Sequence, residues 1–246
     1  MKSKFFIKFL NNSSHLDSDL EFVDIIKSCV INGRTKTDLT DFLFDYVDPS
    51  KHKRFSTGAN SDHRRKLAVN HLKASIRSAF IKSIYEATTT YFQEVLKAAT
   101  KKGVNSDRLL GEHNRTYTSK EIIELGNYSK ILESIASSIF RQLENEKKTK
   151  DLILKMGKKL GLDIDETKIN AALPFFELRH KLVHSEGKAD KAFCDRFPEF
   201  GAVVDRPIKL THTLIEDAKT AIVALITDFD TQIIAKSIIS QTEMQP

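Results

Sequence analysis

From Ser61 to Lys102 the chain runs without a single glycine or proline. Across that stretch Val69, Leu72, Ile76, Phe80, Ile84, Ala87, Tyr91 and Val95 recur every three or four residues, and Ile81, Tyr85, Phe92 and Leu96 add a second stripe. Apolar residues at this period mark one side of an α-helix. At a rise of about 1.5 Å per residue the predicted helix is ~60 Å long, more than a small core covers. It therefore requires other helices along its sides, from this chain or from a second copy.

The rest of the sequence supplies such helices. Nine glycines and five prolines in 246 residues are too few for a turn-rich sheet fold. Asp17 to Asn32 has helical spacing, with Ser18 and Glu21 as a capping box and Gly33 as a stop. A shorter helix is predicted over Asp38 to Tyr46, followed by a basic connection from Lys51 to Gly58. Asn105 to Tyr117 reads as a loop with some order. Thr118 with Glu121 opens a helix interrupted near Gly126 and Asn127, and Lys148 to Leu160 forms another, closed by Gly161. Asp163 to Glu166 caps a further helix that carries Pro174, where a kink is expected. The Phe193–Pro198 stretch reads as aperiodic, Ile208 to Leu210 as extended, and Thr213 with Glu216 as the start of a last helix. The expected fold is all-α, with residues 1–58 as an N-terminal helical extension and 59–246 as the main helical domain.

Charge and composition narrow the setting. The net charge of +6 and a pI near 9.1 suit an anionic partner such as RNA. Basic residues gather from Lys51 to Lys66 and again from Lys147 to Lys159, which reads first as solvated surface. Two cysteines, Cys29 and Cys194, make no disulfide framework and no zinc knuckle. Lys8 interrupts the short apolar run of the first ten residues, polar Asn11–Ser14 follows, and nowhere do eighteen apolar residues run together. These features lead to the expectation of a cytoplasmic protein with no membrane span.

Chemistry concentrates between Phe175 and Gly187. On a helical wheel Ile169, Ala172, Leu173, Phe176 and Val183 share one stripe; Arg179 and His180 project into it and His184 borders it. Phe175, Leu178 and Leu182 form a second stripe, so most of this helix is expected to be buried. Uncompensated charge in such a place is heavily penalised, so an arginine and two histidines within six residues require a use. His180 and His184 have a spacing that also serves zinc, but no glutamate lies between them at the metalloprotease position, no cysteine is near, and Arg179 repels a cation. Neither a metal nor a cofactor is implied.

The arrangement resembles the Arg-x4-6-His motif of the HEPN superfamily, read here as Arg179, the polar His180, Lys181-Leu182-Val183 and His184. The bare spacing recurs at Arg64 or Arg65 with His71, Arg108 with His113, and Arg206 with His212. Context separates Arg179: a polar residue follows it, an apolar pair precedes the histidine, and the helix ends in Ser-Glu-Gly. Arg108 runs into Leu-Leu-Gly and Arg206 precedes Pro207, so neither sits well inside a helix. The resemblance extends more loosely from Leu67 to Ile234. It implies a HEPN-like bundle of long antiparallel helices and a metal-independent endoribonuclease acting as a toxin or defence effector. It further implies a site shared across a two-fold dimer, with an antitoxin or regulatory protein as a partner. Arg179 and His184 are then the catalytic pair, with His180 orienting His184 or binding phosphate. Glu177 and, on the long helix, Glu86 are candidate partners for the arginine. The other reading is a non-catalytic HEPN-like dimerisation or RNA- or protein-binding module.

Overall fold

The structure is a computed structural model that describes residues 1–32, 50, 62–111, 116–146 and 148–245. The helix expected over 38–46, the connection from 51 to 58, the boundary at residue 58 and His113 lie outside the described residues.

The protein is all-α. Among the described residues its α-helices are α1 (Lys4–Asn32), α2 (Asp62–Lys102), α3 (Ser106–Leu110), α4 (Ser119–Leu125), α5 (Tyr128–Glu144), α6 (Thr149–Leu160), α7 (Glu166–His184), α8 (Lys191–Arg196) and α9 (His212–Ala235). The only strands among the described residues, β1 (Lys2–Ser3) and β2 (Met244–Gln245), pair antiparallel and tie the two ends of the chain together. Two compact units are formed: one by Met1–Ser13 with Ile81–Pro246, the other by Ser14–Phe80. In the second, Val23 of α1 and Val69 of α2 are buried.

In the larger unit the two stripes of α2 are covered from Ile81 onward. Ile81, Ile84, Tyr91, Phe92, Val95 and Leu96 are all buried, and Phe92 meets Phe229 of α9 with ring centroids 4.8 Å apart. α7 packs on α9 and α6. The α7–α9 pair is antiparallel: the Asp165 backbone N–H donates to the Asp228 carboxylate at 3.1 Å, and Gln232 exchanges two hydrogen bonds with the Asp163 backbone.

Local rules set the ends. Thr118 and Glu121 complete a capping box, left-handed Gly126 stops α4, and Asn127 caps α5. Asp165 caps α7. Thr211, rather than the expected Thr213, caps α9 by accepting from the Leu214 N–H. α8 occupies the stretch read as aperiodic; Asp190 caps it, and Phe193, Phe197 and Phe200 cluster, with Phe200 edge-on to Phe175 of α7.

A buried carboxylate anchors the start of the chain. Asp230 of α9, 3% exposed, accepts the Ser3 backbone N–H at 3.1 Å, the Ser3 hydroxyl, and the Tyr91 hydroxyl at 3.3 Å. The Ser3 hydroxyl accepts in turn from the Phe6 N–H, capping α1. The negative charge thus lies at the positive end of a helix dipole. For this reason α1 begins at Lys4 and not near Asp17. Another polar junction binds α3 to α6: buried Lys159 donates to the Leu109 and Leu110 carbonyls while Arg108 donates to those of Lys159 and Leu160. Lys159 therefore belongs to the interior, not to the basic surface expected of its neighbours.

Candidate functional site

α7 begins as expected and ends differently. Ile169, Ala172, Leu173 and Phe176 are buried, as is Leu178, but Val183 is 43% exposed and His180 and His184 lie at the surface. For Val183 and His184 the cause is the length of the partner helix. Asp165 stands beside Asp228, and His184 lies nineteen residues on; counting back along antiparallel α9 reaches about residue 209, before that helix begins at His212. The apolar stripe continues past the helix that covers it.

Arg179 points elsewhere. Its guanidinium stacks on the ring of Tyr85 in α2, 4.4 Å from the centroid, and Tyr85 meets Phe176 edge-on at 5.6 Å. Its Nε is buried with no hydrogen-bond partner among the described residues. No ion pair joins Arg179 to a carboxylate among the described residues; Glu177, two positions earlier, faces Arg196 instead, at 3.6 Å. Tyr85, and not Glu86, is therefore what meets the arginine. Burial pushes the Tyr85 phenol above its ordinary pKa of about 10, against the opposing pull of Arg179, so it is neutral at pH 7. A neutral ring offers the cation its π face without cancelling its charge.

The histidines form their own pair, with ring centroids 4.6 Å apart and planes tilted by 45°. That contact follows from their i,i+4 spacing. No hydrogen bond joins either to Arg179 among the described residues, and the 140° between Arg179 and His184 on an ideal helix accounts for the separation. The structure thus brings His180 and His184 together and holds Arg179 on the adjoining face.

The helix end itself is firmly built. Glu186 and Gly187 both adopt positive φ, and the Ser185 and Gly187 N–H groups donate to the Lys181 carbonyl. The Lys181 ammonium binds the Asp190 carboxylate, which also caps α8; these contacts hold the Asp190 carboxyl below the usual range. At exposed Glu186 the adjacent Lys188 ammonium has the same effect.

The chain matches no known family model, no curated protein and no solved structure. Its chemistry is therefore argued from these residues. Tyr85 is the site residue that sequence reasoning placed only in the core; its sole signal was a phenol at a position where any apolar residue satisfies the stripe.

Proposed function

We propose that this chain is a metal-independent endoribonuclease of the HEPN type, acting as a toxin or defence effector. The observation that carries the reading is the state of Arg179: a cation held on an aromatic ring, paired with no carboxylate among the described residues, in the same last turns of α7 as two exposed histidines. An arginine kept for stability alone is normally neutralised by a partner, whereas one kept for phosphate must stay free to meet it.

RNA supplies its own nucleophile. The 2′-oxygen attacks the adjacent phosphorus as a histidine takes its proton; the bond from phosphorus to the 5′-oxygen breaks, and a second group protonates that oxygen. The products are a 2′,3′-cyclic phosphate and a free 5′-hydroxyl. In this scheme His184 is the acid or base, Arg179 stabilises charge on the phosphorane, and His180 orients His184 or contacts phosphate. Two chains joined about a two-fold axis along the open end of α7 would bring two arginines and two histidines into one cleft. RNA is the substrate, and an antitoxin or regulatory protein would restrain it.

The test uses purified protein with mixed RNA in chelator. His184→Ala and Arg179→Ala should each lower cleavage by roughly 10²- to 10⁴-fold with helix content unchanged. A 2′-deoxy substitution at the scissile position should stop the reaction. Cleavage that requires a divalent metal or leaves 5′-phosphates would overturn the mechanism. A wild-type protein inert on every RNA would leave the binding module as the function.

A further inference from the structure

We propose that the groove between the first turns of α1 and the last turns of α2 binds a single strand of nucleic acid, with lysines on its phosphates and Phe5 beneath a base. The groove encloses about 350 Å³ and is lined by Lys4, Lys8, Lys97 and Lys101 together with Glu94 and Glu243. Four ammonium groups thus outnumber two carboxylates. Lys4 and Lys8 are four residues apart on one helix, as are Lys97 and Lys101 on the other, so each wall carries charges spaced ~6 Å along its axis. Such rows suit a chain of phosphates better than one compact anion.

The carboxylates do not close the groove to an anion. Glu94 holds Lys8 at 2.5 Å, and Glu133 holds Lys101 at 2.6 Å, but both lysines are about half exposed, and pairs of that kind are weak enough for phosphate to displace. Lys4 and Lys97 form no ion pair among the described residues, though the Lys97 charge adds to that of Lys101 in holding the Glu133 carboxyl below its usual range. Glu243 opposes an anion and sets a limit on affinity. Phe5 lines the same groove and is half-buried. A cationic track beside an aromatic ring is the combination that binds single strands with little regard to sequence. An acidic peptide would use the lysines but leave the ring idle.

Binding is measured without cleavage, so this proposal and the ribonuclease reading fail separately. The probe is a fluorescent oligodeoxythymidylate of about twelve nucleotides, within the span of a single-strand groove, read by anisotropy across a salt series. The wild-type chain should bind it. The double variant Lys4→Ala, Lys97→Ala should reduce the slope of log affinity against log salt by about 1.4, or ~0.7 per lost phosphate contact. Phe5→Ala should weaken binding about fivefold or more, with Phe5→Tyr restoring it and circular dichroism confirming the fold. Lys120→Ala with Lys158→Ala, the same charge change elsewhere, should leave the slope nearly unchanged. Absence of binding, or equal effects from the two double variants, would overturn the proposal. Displacement of the oligonucleotide by adenosine monophosphate, inorganic phosphate or polyglutamate at equal charge concentration would do so as well, since the groove would then take any anion.

Discussion

Replacing Tyr85 by leucine separates an arginine that is merely buried from one that is aimed. The guanidinium lies 4.4 Å from the ring centroid, and Phe176 touches the ring's edge at 5.6 Å. A cation–π contact at a partly desolvated site and an aromatic pair together amount to roughly 2–3 kcal/mol. Leucine restores part of the apolar volume, so the loss stays well below the ~5–15 kcal/mol stability of a typical domain and the fold should persist. What leucine cannot restore is the plate on which Arg179 rests. A charged group displaced by about 1 Å from its reacting partner can cost ~100-fold in rate. Tyr85→Leu should therefore cut cleavage by about 10- to 100-fold while shifting the melting temperature by only a few degrees. Tyr85→Phe retains the π face and loses only a neutral hydroxyl, so its rate should remain close to wild type. The assay is turnover of saturating RNA in chelator beside a thermal melt of each variant. A Tyr85→Leu rate within twofold of wild type would refute the positioning role. Equal damage from Tyr85→Phe would transfer that role to the hydroxyl.

Three further outcomes follow from the same contacts. Asp230→Ala strands the Ser3 N–H, the Ser3 hydroxyl and the Tyr91 hydroxyl in the interior, a loss of about 3–5 kcal/mol at ~1–3 per unsatisfied group with partial relaxation; urea unfolding showing less than ~1 would contradict the anchor. Burial first, and Asp230 second, raise the Tyr91 phenol well above its ordinary value. Below about pH 10 both folded and unfolded chains keep that proton; above it only the unfolded chain releases it, so stability falls by up to ~1.4 kcal/mol per pH unit. Tyr91→Phe should accordingly be less stable than wild type at pH 8, with the gap narrowing as denaturation is followed above pH 10. Sedimentation at micromolar concentration should give a dimer, and Val183→Glu should reduce it to a monomer; a wild-type monomer with full cleavage activity would exclude a shared site.

Much of the fold was legible because its determinants are local. The long helix, expected over 61–102, spans Asp62–Lys102 because nothing inside it breaks a helix and Gly103 ends it in a left-handed conformation. Thr118, Gly126, Asn127 and Gly161 act within a turn of themselves and were readable for that reason. The start of α1 was not. Lysines interrupt its apolar pattern, and the cap at Ser3 is completed by Asp230, 227 positions away. α8 carried a signal in Asp190 and in the 193, 197, 200 spacing of its phenylalanines, overridden by Pro198, which instead opens a 3-10 turn. At the site, the motif residues were visible in sequence, whereas the partner of Arg179 was not: a wheel fixes direction on one helix and is silent about which residue of another helix lies there.

That distinction also explains the open end of α7. A periodic stripe records every surface a helix must hide, whether the cover comes from its own chain or from elsewhere. Ile169, Ala172, Leu173 and Phe176 are hidden by intramolecular packing, and α9 ends the cover by starting at His212. Val183 and His184 continue past it with no helix opposite, and exposed His180 lies one turn before them. A histidine pair is tolerated there because water reaches it; under full burial two adjacent imidazoles would each need a hydrogen-bond partner. The same exposure leaves both imidazoles open to a ligand, while Arg179, one face away, rests on the Tyr85 ring. In the proposed reaction this places two exposed histidines beside a cation seated on an aromatic ring, the kinds of group that proton transfer and charge stabilisation require. The feature that departs from the expected burial is thus the one on which the proposed chemistry depends.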